Sequence, residues 1–166
     1  MKKIARIIAI VPCLLALWTT SCRSAEVGAR VPDFSVRTLS GDLLSRASLA
    51  GKPVLLVFWN TWCASCAKEL PQVNRMAEKF GSRRLTVLAI NTGLNDSEGK
   101  ARAYWKKYGY SFQAGYDRSF ELGETFRVMG VPTVILADAQ GVVRYSHTSL
   151  PRDLEERLRQ LTAGIP

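Results

Sequence analysis

The sequence predicts an α/β domain in which a central mixed sheet carries helices on both faces. The chain has 166 residues, of which 47% are hydrophobic, and this length and composition suit a single domain with one core. Short, continuous apolar segments, typical of strands buried on both faces, alternate with amphipathic helical segments. Their order, β-α-β-α-α-β-β-α, indicates parallel strands first and antiparallel strands at the end.

The first elements are a hairpin, a buried strand and a long helix. A turn at Ser40-Gly41-Asp42, flanked by apolar residues, predicts a small β-hairpin. The continuous apolar segment PVLLVFW, at 53–59, predicts a strand buried on both faces. Apolar residues then recur every three or four positions over 64–80, which predicts a helix that Pro71 bends and Gly81 ends.

The second half of the chain continues this alternation. Its predicted elements are a buried strand over 85–91, a helix over 101–108, a short extended segment over 112–117, a helix over 119–126, strands over 131–138 and 142–147, and a last helix from Leu150-Pro151. Ser119 has the side chain expected of an N-cap. Ala139-Gln140-Gly141 predicts a tight hairpin between the last two strands.

The first residues predict export from the cytoplasm. Three basic residues and no acid accompany an apolar segment over 7–18. That segment is shorter than the roughly 20 residues that cross a membrane, but it fits a secretory signal. The small residues before Cys22 resemble a bacterial lipoprotein cleavage site, although leucine is usual where Thr19 stands.

These features divide the chain into a signal peptide over 1–21, a tether over 22–30 and a folded domain over 31–166. Lipid on Cys22 would anchor the domain stably, since each buried methylene contributes about 0.8 kcal/mol. We therefore expect a membrane-anchored domain in the periplasm or cell envelope. An uncleaved membrane anchor and ordinary secretion are the alternatives, and both also place the domain outside the cytoplasm.

The charge distribution argues against one class of partner. The formal net charge is +9, but the basic residues are scattered and form no stripe along the chain. This pattern indicates a solvated basic surface rather than a nucleic-acid site. We expect a monomer that binds no nucleic acid.

The cysteines point to redox chemistry. Of four cysteines, Cys13 lies in the predicted signal and Cys22 is the predicted lipid site, so Cys63 and Cys66 remain for the folded domain. A zinc site needs two such pairs or suitably spaced histidines, and the one histidine, His147, lies far along the chain. A structural disulfide across so small a loop would remove little unfolded-chain entropy. In an oxidising compartment, a lone C-x-x-C in an αβ pattern indicates a redox-active pair.

Two segments resemble the thioredoxin superfamily, namely VFWNTWCASCAKELP at 57–71 and MGVPTVILAD at 129–138. The segment before them is similar to the extracytoplasmic TlpA/ResA-like branch of thiol–disulfide oxidoreductases, so the likeness extends from about residue 31 to about residue 161. The resemblance implies a thioredoxin-like three-layer fold, with a central mixed sheet, helices on both faces and an extra N-terminal hairpin. It also implies an enzyme whose only redox group is the cysteine pair, with no cofactor.

The resemblance also implies roles for individual residues. Cys63 would attack the substrate and Cys66 would resolve the mixed disulfide. Cys63 lies where the predicted strand ends and the helix begins, so its sulfur faces the positive end of the helix dipole, which favours the thiolate. Trp62 would shield the sulfurs and offer a partner an apolar contact. Val131-Pro132-Thr133 is similar to the family's cis-proline loop, where the Val131 backbone could pair with an extended substrate. Plain core packing of Trp62 and an ordinary trans proline are the alternatives.

Carboxylates are missing from two positions where the family commonly keeps one. Val57 stands where thioredoxins proper have a buried aspartate, and Leu94 stands where the TlpA/ResA-like branch often has a glutamate. Asp96 and Glu98 are therefore candidate acid–base residues. Glu69 matches a glutamate common in this branch and is a third candidate, with a solvated carboxylate near the helix start as the alternative.

The direction of electron flow is predicted from the residues around the cysteines. Ala64 and Ser65 carry no charge, and no histidine lies next to Cys66. We therefore expect a potential in the reducing half of the span of about 150 mV between thioredoxin and DsbA. Expected partners are thiols and disulfides of cell-envelope proteins, in cytochrome c maturation or redox homeostasis, together with a membrane electron donor.

Two other functions fit parts of the sequence. The N-terminal segment, through the first buried strand, also resembles peroxiredoxins. A peroxidase of that family has a threonine three residues before its cysteine, and Thr61 precedes Cys63 by only two. Soft thiolates suit a Cu(I)-binding module, but related copper-delivery proteins space their cysteines by three residues and add a histidine. We expect no bound metal.

Overall fold

The computed structural model describes residues 25–165. Its strands are β1 (Ser35–Arg37), β2 (Leu43–Ser45), β3 (Val54–Trp59), β4 (Thr86–Asn91), β5 (Gln113–Tyr116), β6 (Thr133–Ala137) and β7 (Val143–His147). Its helices are α1 (Ala64–Arg84), α2 (Glu98–Tyr108), α3 (Glu121–Thr125) and α4 (Leu154–Thr162), and a 3-10 turn spans Arg46–Leu49. The predicted signal peptide and the predicted lipid site Cys22 lie outside the described residues.

The sheet has the mixed topology that the order of elements predicts. Five strands pair in the order β5-β4-β3-β6-β7. β3, β4 and β5 are parallel, whereas β6 runs antiparallel to β3 and β7 runs antiparallel to β6. β1 and β2 form a separate antiparallel hairpin. The fold is therefore thioredoxin-like, and the predicted fold class is confirmed.

The side chains of the central strand β3 pack into two cores, one on each face of the sheet. Leu55, Val57 and Trp59 contribute to a core that also contains residues of α1, α2 and α4. The alternate residues of β3 contribute to a second core with the hairpin and α3. Because successive side chains of a strand point to opposite faces, a continuous apolar segment serves both cores.

The folded domain begins earlier in the sequence than predicted. The tether over 22–30 is wrong from residue 25 onward, because Ala25 and Ala29 are buried. Gly28 N donates to Val143 O at 2.8 Å, and Val143 N donates to Ala29 O at 2.8 Å. Small apolar residues let this segment lie along the start of β7 and satisfy its backbone groups.

The hairpin covers the opposite edge of the sheet. Leu39 N donates to Ala114 O at 2.7 Å, and Thr38 forms an antiparallel bridge with Gly115. A Cβ at position 115 would lie 2.7 Å from Cγ2 of Val36. The hairpin can therefore approach β5 this closely only because residue 115 is a glycine.

The long helix α1 positions the cysteine pair. It begins directly after Cys63 and continues through Pro71, and its backbone leaves the helical region at Gly81, where φ is 69°. Glycine adopts this left-handed conformation without strain. The helix is thus broken at Gly81, where the sequence predicts its end, but helical residues follow as far as Arg84. Within residues 25–165, no helix is both long enough and apolar enough to cross a membrane.

Three later helices begin at residues other than those predicted. α2 begins at Glu98 rather than at residue 101, since Ser97 caps it by accepting from Lys100 N. Ser119 is not an N-cap, because Asp117 accepts the hydrogen bond from Gly123 N at 2.9 Å and so fixes the shorter α3. α4 begins after Leu150-Pro151, where Leu150 N donates instead to Glu69.

Candidate active site

Cys63 and Cys66 form a disulfide at the carboxyl end of the central strand. Cys63 is the N-cap of α1, and its Sγ accepts a hydrogen bond from Cys66 N at 3.1 Å. Cys63 is 6% exposed and Cys66 is 1% exposed. The sulfur nearer to solvent is therefore the one at the helix N-terminus, which suits the attacking role expected of Cys63.

The electrostatics of the helix start favour a thiolate at Cys63 in the reduced protein. The unpaired N–H groups and the dipole of α1 place positive charge at this end. The first turn of α1 contains no acidic residue that would oppose it. A lowered thiol pKa at such a position increases the fraction of the nucleophilic thiolate.

The cis-proline loop lies against the disulfide. The Val131–Pro132 peptide bond is cis, and Cys63 Sγ lies 3.5 Å from Val131 O. Thr133 Oγ1 donates to Gly130 O at 2.7 Å, which closes the loop from the other side. The alternative of an ordinary trans proline is thereby excluded. Cys63 and Val131, which are 68 residues apart in the sequence, thus contact each other at the Cys63 sulfur.

Exposed apolar side chains lie on the segments that meet at Cys63. Trp62 is 55% exposed, and its Nε1 donates to Leu94 O at 3.0 Å. Leu94 is 46% exposed, and Met129, in the segment that leads to Val131, is 95% exposed. Trp62 is thus a surface side chain with a fixed indole N–H, rather than a residue of the core.

A buried polar network at the carboxyl ends of β3 and β4 was not predicted from the sequence. Thr92 Oγ1 donates to Asn60 Oδ1 at 2.7 Å, and Asn60 Nδ2 donates to Asn91 Oδ1 at 3.3 Å. The dipeptide Asn-Thr follows the apolar residues of β3 as Asn60-Thr61 and recurs at the end of β4 as Asn91-Thr92. This repeat was the available signal, because parallel strands end at the same edge of a sheet.

Asp96 is part of this network. Its carboxylate accepts hydrogen bonds from Thr61, Asn91 and the Ser97 backbone. Burial alone would raise the pKa of Asp96, but the hydrogen bonds from Asn91, Thr61 and Ser97 outweigh it and hold the pKa below its ordinary value. The carboxylate therefore stays ionised at neutral pH.

The other two candidate acids have different surroundings. Glu98 pairs with Arg102 of α2 at 2.8 Å and with Arg118, which follows β5, at 2.6 Å. These two ion pairs occupy the Glu98 carboxylate. Glu69 is half-buried on α1, and its Oε2 accepts from Leu150 N at 3.2 Å. Burial raises the pKa of Glu69, although the hydrogen bond from Leu150 offsets part of this effect.

The remaining sequence predictions concern metals and His147. Among residues 25–165, no three His, Cys, Asp or Glu side chains are grouped so as to hold a metal ion. His147 is exposed at the end of β7, and its Nδ1 lies 3.3 Å from Ser149 Oγ. Val57 is fully buried in β3, so the position of the usual aspartate is apolar.

A disulfide at the start of a helix, facing a cis-proline on a mixed five-stranded sheet, defines a thiol–disulfide oxidoreductase with the thioredoxin fold. Comparison with known proteins gives the family. Residues 27–146 match the AhpC/TSA family, and the chain belongs to that family.

Individual relatives agree with this assignment. Thioredoxin-like protein YneN from Bacillus subtilis is 34% identical over 136 residues, which cover 80% of this chain and 79% of the relative. Thiol-disulfide oxidoreductase ResA from Bacillus thuringiensis subsp. konkukian is 30% identical, over 82% of this chain and 79% of the relative. A structure from Chlorobium tepidum, provisionally named thiol:disulfide interchange protein DsbE, superposes with a TM-score of 0.74 at 27% identity, covering 86% of this chain and 100% of that one. The predicted superfamily and enzyme class are confirmed.

Proposed function

We propose that this oxidoreductase works in the cell envelope, anchored by lipid on Cys22, and reduces disulfides of envelope proteins. The observation that carries the proposal is the position of Cys63 at the N-terminus of α1, one turn before the buried Cys66. The basic and apolar N-terminal sequence supports a location outside the cytoplasm. The enzyme acts as a monomer, and the disulfide itself is its only redox group.

In the proposed reaction, the reduced pair gives two electrons to a substrate disulfide. The Cys63 thiolate attacks one substrate sulfur, forms a mixed disulfide and releases the other sulfur as a thiolate, which takes up a proton. Cys66 then loses its proton and attacks the Cys63 sulfur. This step closes the Cys63–Cys66 disulfide and releases the second substrate thiolate. A membrane electron donor returns two electrons to the pair.

Glu69 is the carboxylate best suited to take the proton from Cys66. It lies three residues after Cys66 on α1, and side chains at this spacing share one helix face and lean towards the N-terminus. Burial raises the pKa of Glu69, which suits a group that accepts a proton near neutral pH. Hydrogen bonds occupy Asp96 and ion pairs occupy Glu98, so neither is as well suited.

The substrate polypeptide is proposed to lie between the cis-proline loop and the exposed apolar side chains. Val131 offers backbone groups within reach of an extended chain whose cysteine faces Cys63. Trp62, Leu94 and Met129 are exposed apolar side chains on the segments that lead to Cys63, Trp62 and Val131. Thr133 supports the loop through its bond to Gly130.

The reducing direction is supported by the residues between the cysteines. Ala64 and Ser65 are exposed and uncharged, so the Cys63 thiolate is stabilised by the helix dipole and the Cys66 N–H and by no charged side chain between the cysteines. A modestly stabilised thiolate leaves the disulfide less oxidising than in DsbA, whose reduced form is strongly stabilised. Envelope proteins with cysteine pairs that must be kept reduced, such as apocytochromes c, are therefore the candidate substrates.

Trapping of the mixed disulfide tests the proposal. The variant Cys66→Ala, expressed in full length, should accumulate disulfide-linked partners that non-reducing gels show in the membrane fraction. The matched control Cys63→Ala with Cys66→Ala should show none. Absence of trapped partners, together with failure of the wild type to reduce any protein disulfide, would contradict the proposal.

The family match makes a peroxidase the second candidate. Thr61 would have to assist the attacking cysteine, yet its hydroxyl donates to Asp96 at 2.8 Å. Consumption of peroxide by the reduced protein at the rate of disulfide exchange would favour the peroxidase. A metal-delivery module is the remaining alternative. It requires a tight stoichiometric complex with Cu(I), so a titration of the reduced protein with Cu(I) that shows no such complex would exclude it.

A further inference from the structure

Two neighbouring loops meet beside the active-site disulfide. β3 and β4 are parallel, with Trp59 opposite Asn91, so residues 60–62 and residues 92–97 lie at the same edge of the sheet. The first loop leads directly into Cys63. Contacts between the loops therefore act on the segment that carries the attacking sulfur.

Asp96 joins the two loops through both of its carboxylate oxygens. Oδ2 accepts from Thr61 N at 2.7 Å, from Asn91 Nδ2 at 2.9 Å and, at 3.5 Å, from Asn60 Nδ2. Oδ1 accepts from Thr61 Oγ1 at 2.8 Å and from Ser97 N at 2.9 Å. An ionised carboxylate is an acceptor only, and these five bonds use its capacity. Asp96 thus fixes Thr61 through its backbone and its side chain together.

The second loop also fixes the indole of Trp62. Leu94 O accepts from Trp62 Nε1 at 3.0 Å and from Asn60 Nδ2 at 3.4 Å. Each residue of the first loop is therefore held by the second loop. Trp62, which directly precedes Cys63, and Leu94 are both about half exposed. The bond from Trp62 Nε1 to Leu94 O joins the two residues, and we call this exposed pair the apolar wall.

We propose that Asp96 is a positioning residue, which locks residues 92–97 onto residues 60–62 so that Trp62 and Leu94 present one fixed wall to the substrate. The wall receives an apolar side chain next to the reacting cysteine of the substrate polypeptide. A rigid aromatic surface binds such a side chain with little loss of conformational freedom. This inference deepens the proposed function and rests on it.

The role differs from the acid–base role considered for Asp96. A proton acceptor needs a lone pair directed at the thiol, whereas the lone pairs of Asp96 accept hydrogen bonds from five donors in the two loops, in β4 and in Ser97. A positioning residue instead acts through Thr61 and Trp62. Its loss should affect polypeptide substrates while leaving small disulfides almost unaffected.

Kinetics of the full-length protein in detergent test the proposal with two pairs of variants. Asp96→Asn places an amide N–H₂ against donors, so KM for a disulfide peptide with an apolar residue beside its cysteine should rise about tenfold. Its kcat, and the rate with oxidised glutathione, should stay within about twofold of the wild type. Thr61→Val, which loses one hydroxyl donor, should raise KM by about threefold, whereas Thr61→Ser should retain the wild-type KM.

Hydrogen exchange of the Trp62 indole N–H, followed by NMR, gives a second readout that needs no substrate. Asp96→Asn should speed this exchange at least about tenfold, because the loop that carries Leu94 O is released. Leu94→Ala should raise KM for the apolar peptide without changing the exchange. Unchanged KM and unchanged indole exchange in Asp96→Asn, with only a lower melting temperature, would overturn the inference. A wild-type protein inactive towards all disulfides would overturn the proposed function, while the exchange data would still test the link between the loops.

Discussion

A charge introduced at Ala64 should shift the pKa of Cys63 in a direction set by its sign. Ala64 is the first residue of α1, it is exposed, and it follows Cys63 directly. Ala64→Glu places a negative charge near the sulfur and disfavours the thiolate. Ala64→Lys places a positive charge there and favours it.

The expected magnitude follows from Coulomb's law. A separation of about 6 Å and the dielectric constant of water give about 0.7 kcal/mol, or about half a pKa unit. For a two-electron couple this energy corresponds to about 15 mV. Where Cys63 is ionised in the reduced protein, Ala64→Glu should make the pair more reducing, and Ala64→Lys should make it more oxidising.

Two measurements check these shifts. The absorbance of the thiolate against pH gives the pKa of Cys63, and equilibration with glutathione gives the reduction potential. Both shifts should shrink in about 1 M salt, where the Debye length falls to about 3 Å. Ser82→Glu, at the far end of α1, should shift neither quantity. Shifts of the same sign in the Glu and Lys variants, or none in either, would refute the electrostatic account of the helix start.

Three further predictions concern stability and proton transfer. Gly115→Ala should destabilise the domain by about 1–3 kcal/mol in urea unfolding, because its Cβ would lie 2.7 Å from Val36. The control Gly99→Ala, in α2, should stabilise the domain by about 0.5–1 kcal/mol, because its Cβ would meet nothing within 4 Å. Equal effects of the two substitutions would contradict this reasoning. Glu69→Gln should slow the resolving step at neutral pH about a hundredfold in stopped-flow measurements. A resolving rate equal to that of the wild type would exclude Glu69 as the proton acceptor. The same variant should raise the melting temperature at neutral pH, because a carboxyl group with a raised pKa stabilises the fold less as the pH rises through that pKa. Asp96 has a lowered pKa, so its stabilising contribution is present above its unfolded pKa and is lost as pH falls through its folded pKa; acid titration of Asp96→Asn should lack this loss.

Much of the scaffold could be predicted because its signals are local. β3 and β4 are continuous apolar segments buried on both faces, and the periodicity after Cys63 specifies α1. Motifs predict the cysteine pair and the loop at Pro132. The 3.5 Å contact between Cys63 Sγ and Val131 O follows from the antiparallel pairing of β6 with β3, since Thr133 lies opposite Phe58.

The parts that could not be predicted depend on contacts between distant residues. Ser119 has the right side chain for a cap, but Phe120 is the N-cap residue of α3, and Gly123 N donates instead to Asp117, which the end of β5 brings to the start of α3. Three acids were equal candidates in the sequence. Asp96 differs from the others through its bonds to Thr61, 35 residues earlier, and no local pattern indicates such a bond.

The two segments that cover the edges of the sheet have a consequence for how the enzyme meets its substrates. Proteins whose disulfides still need correction are partly unfolded, and unfolded chains readily add themselves as strands to an open sheet edge. The N-terminal segment lies along the start of β7, and the hairpin lies against β5. A client chain would therefore find few backbone groups to pair with along β5 and the start of β7, and the loop at Val131 would remain the place for transient pairing. The enzyme could then release each client once exchange is complete, without becoming a template for its aggregation.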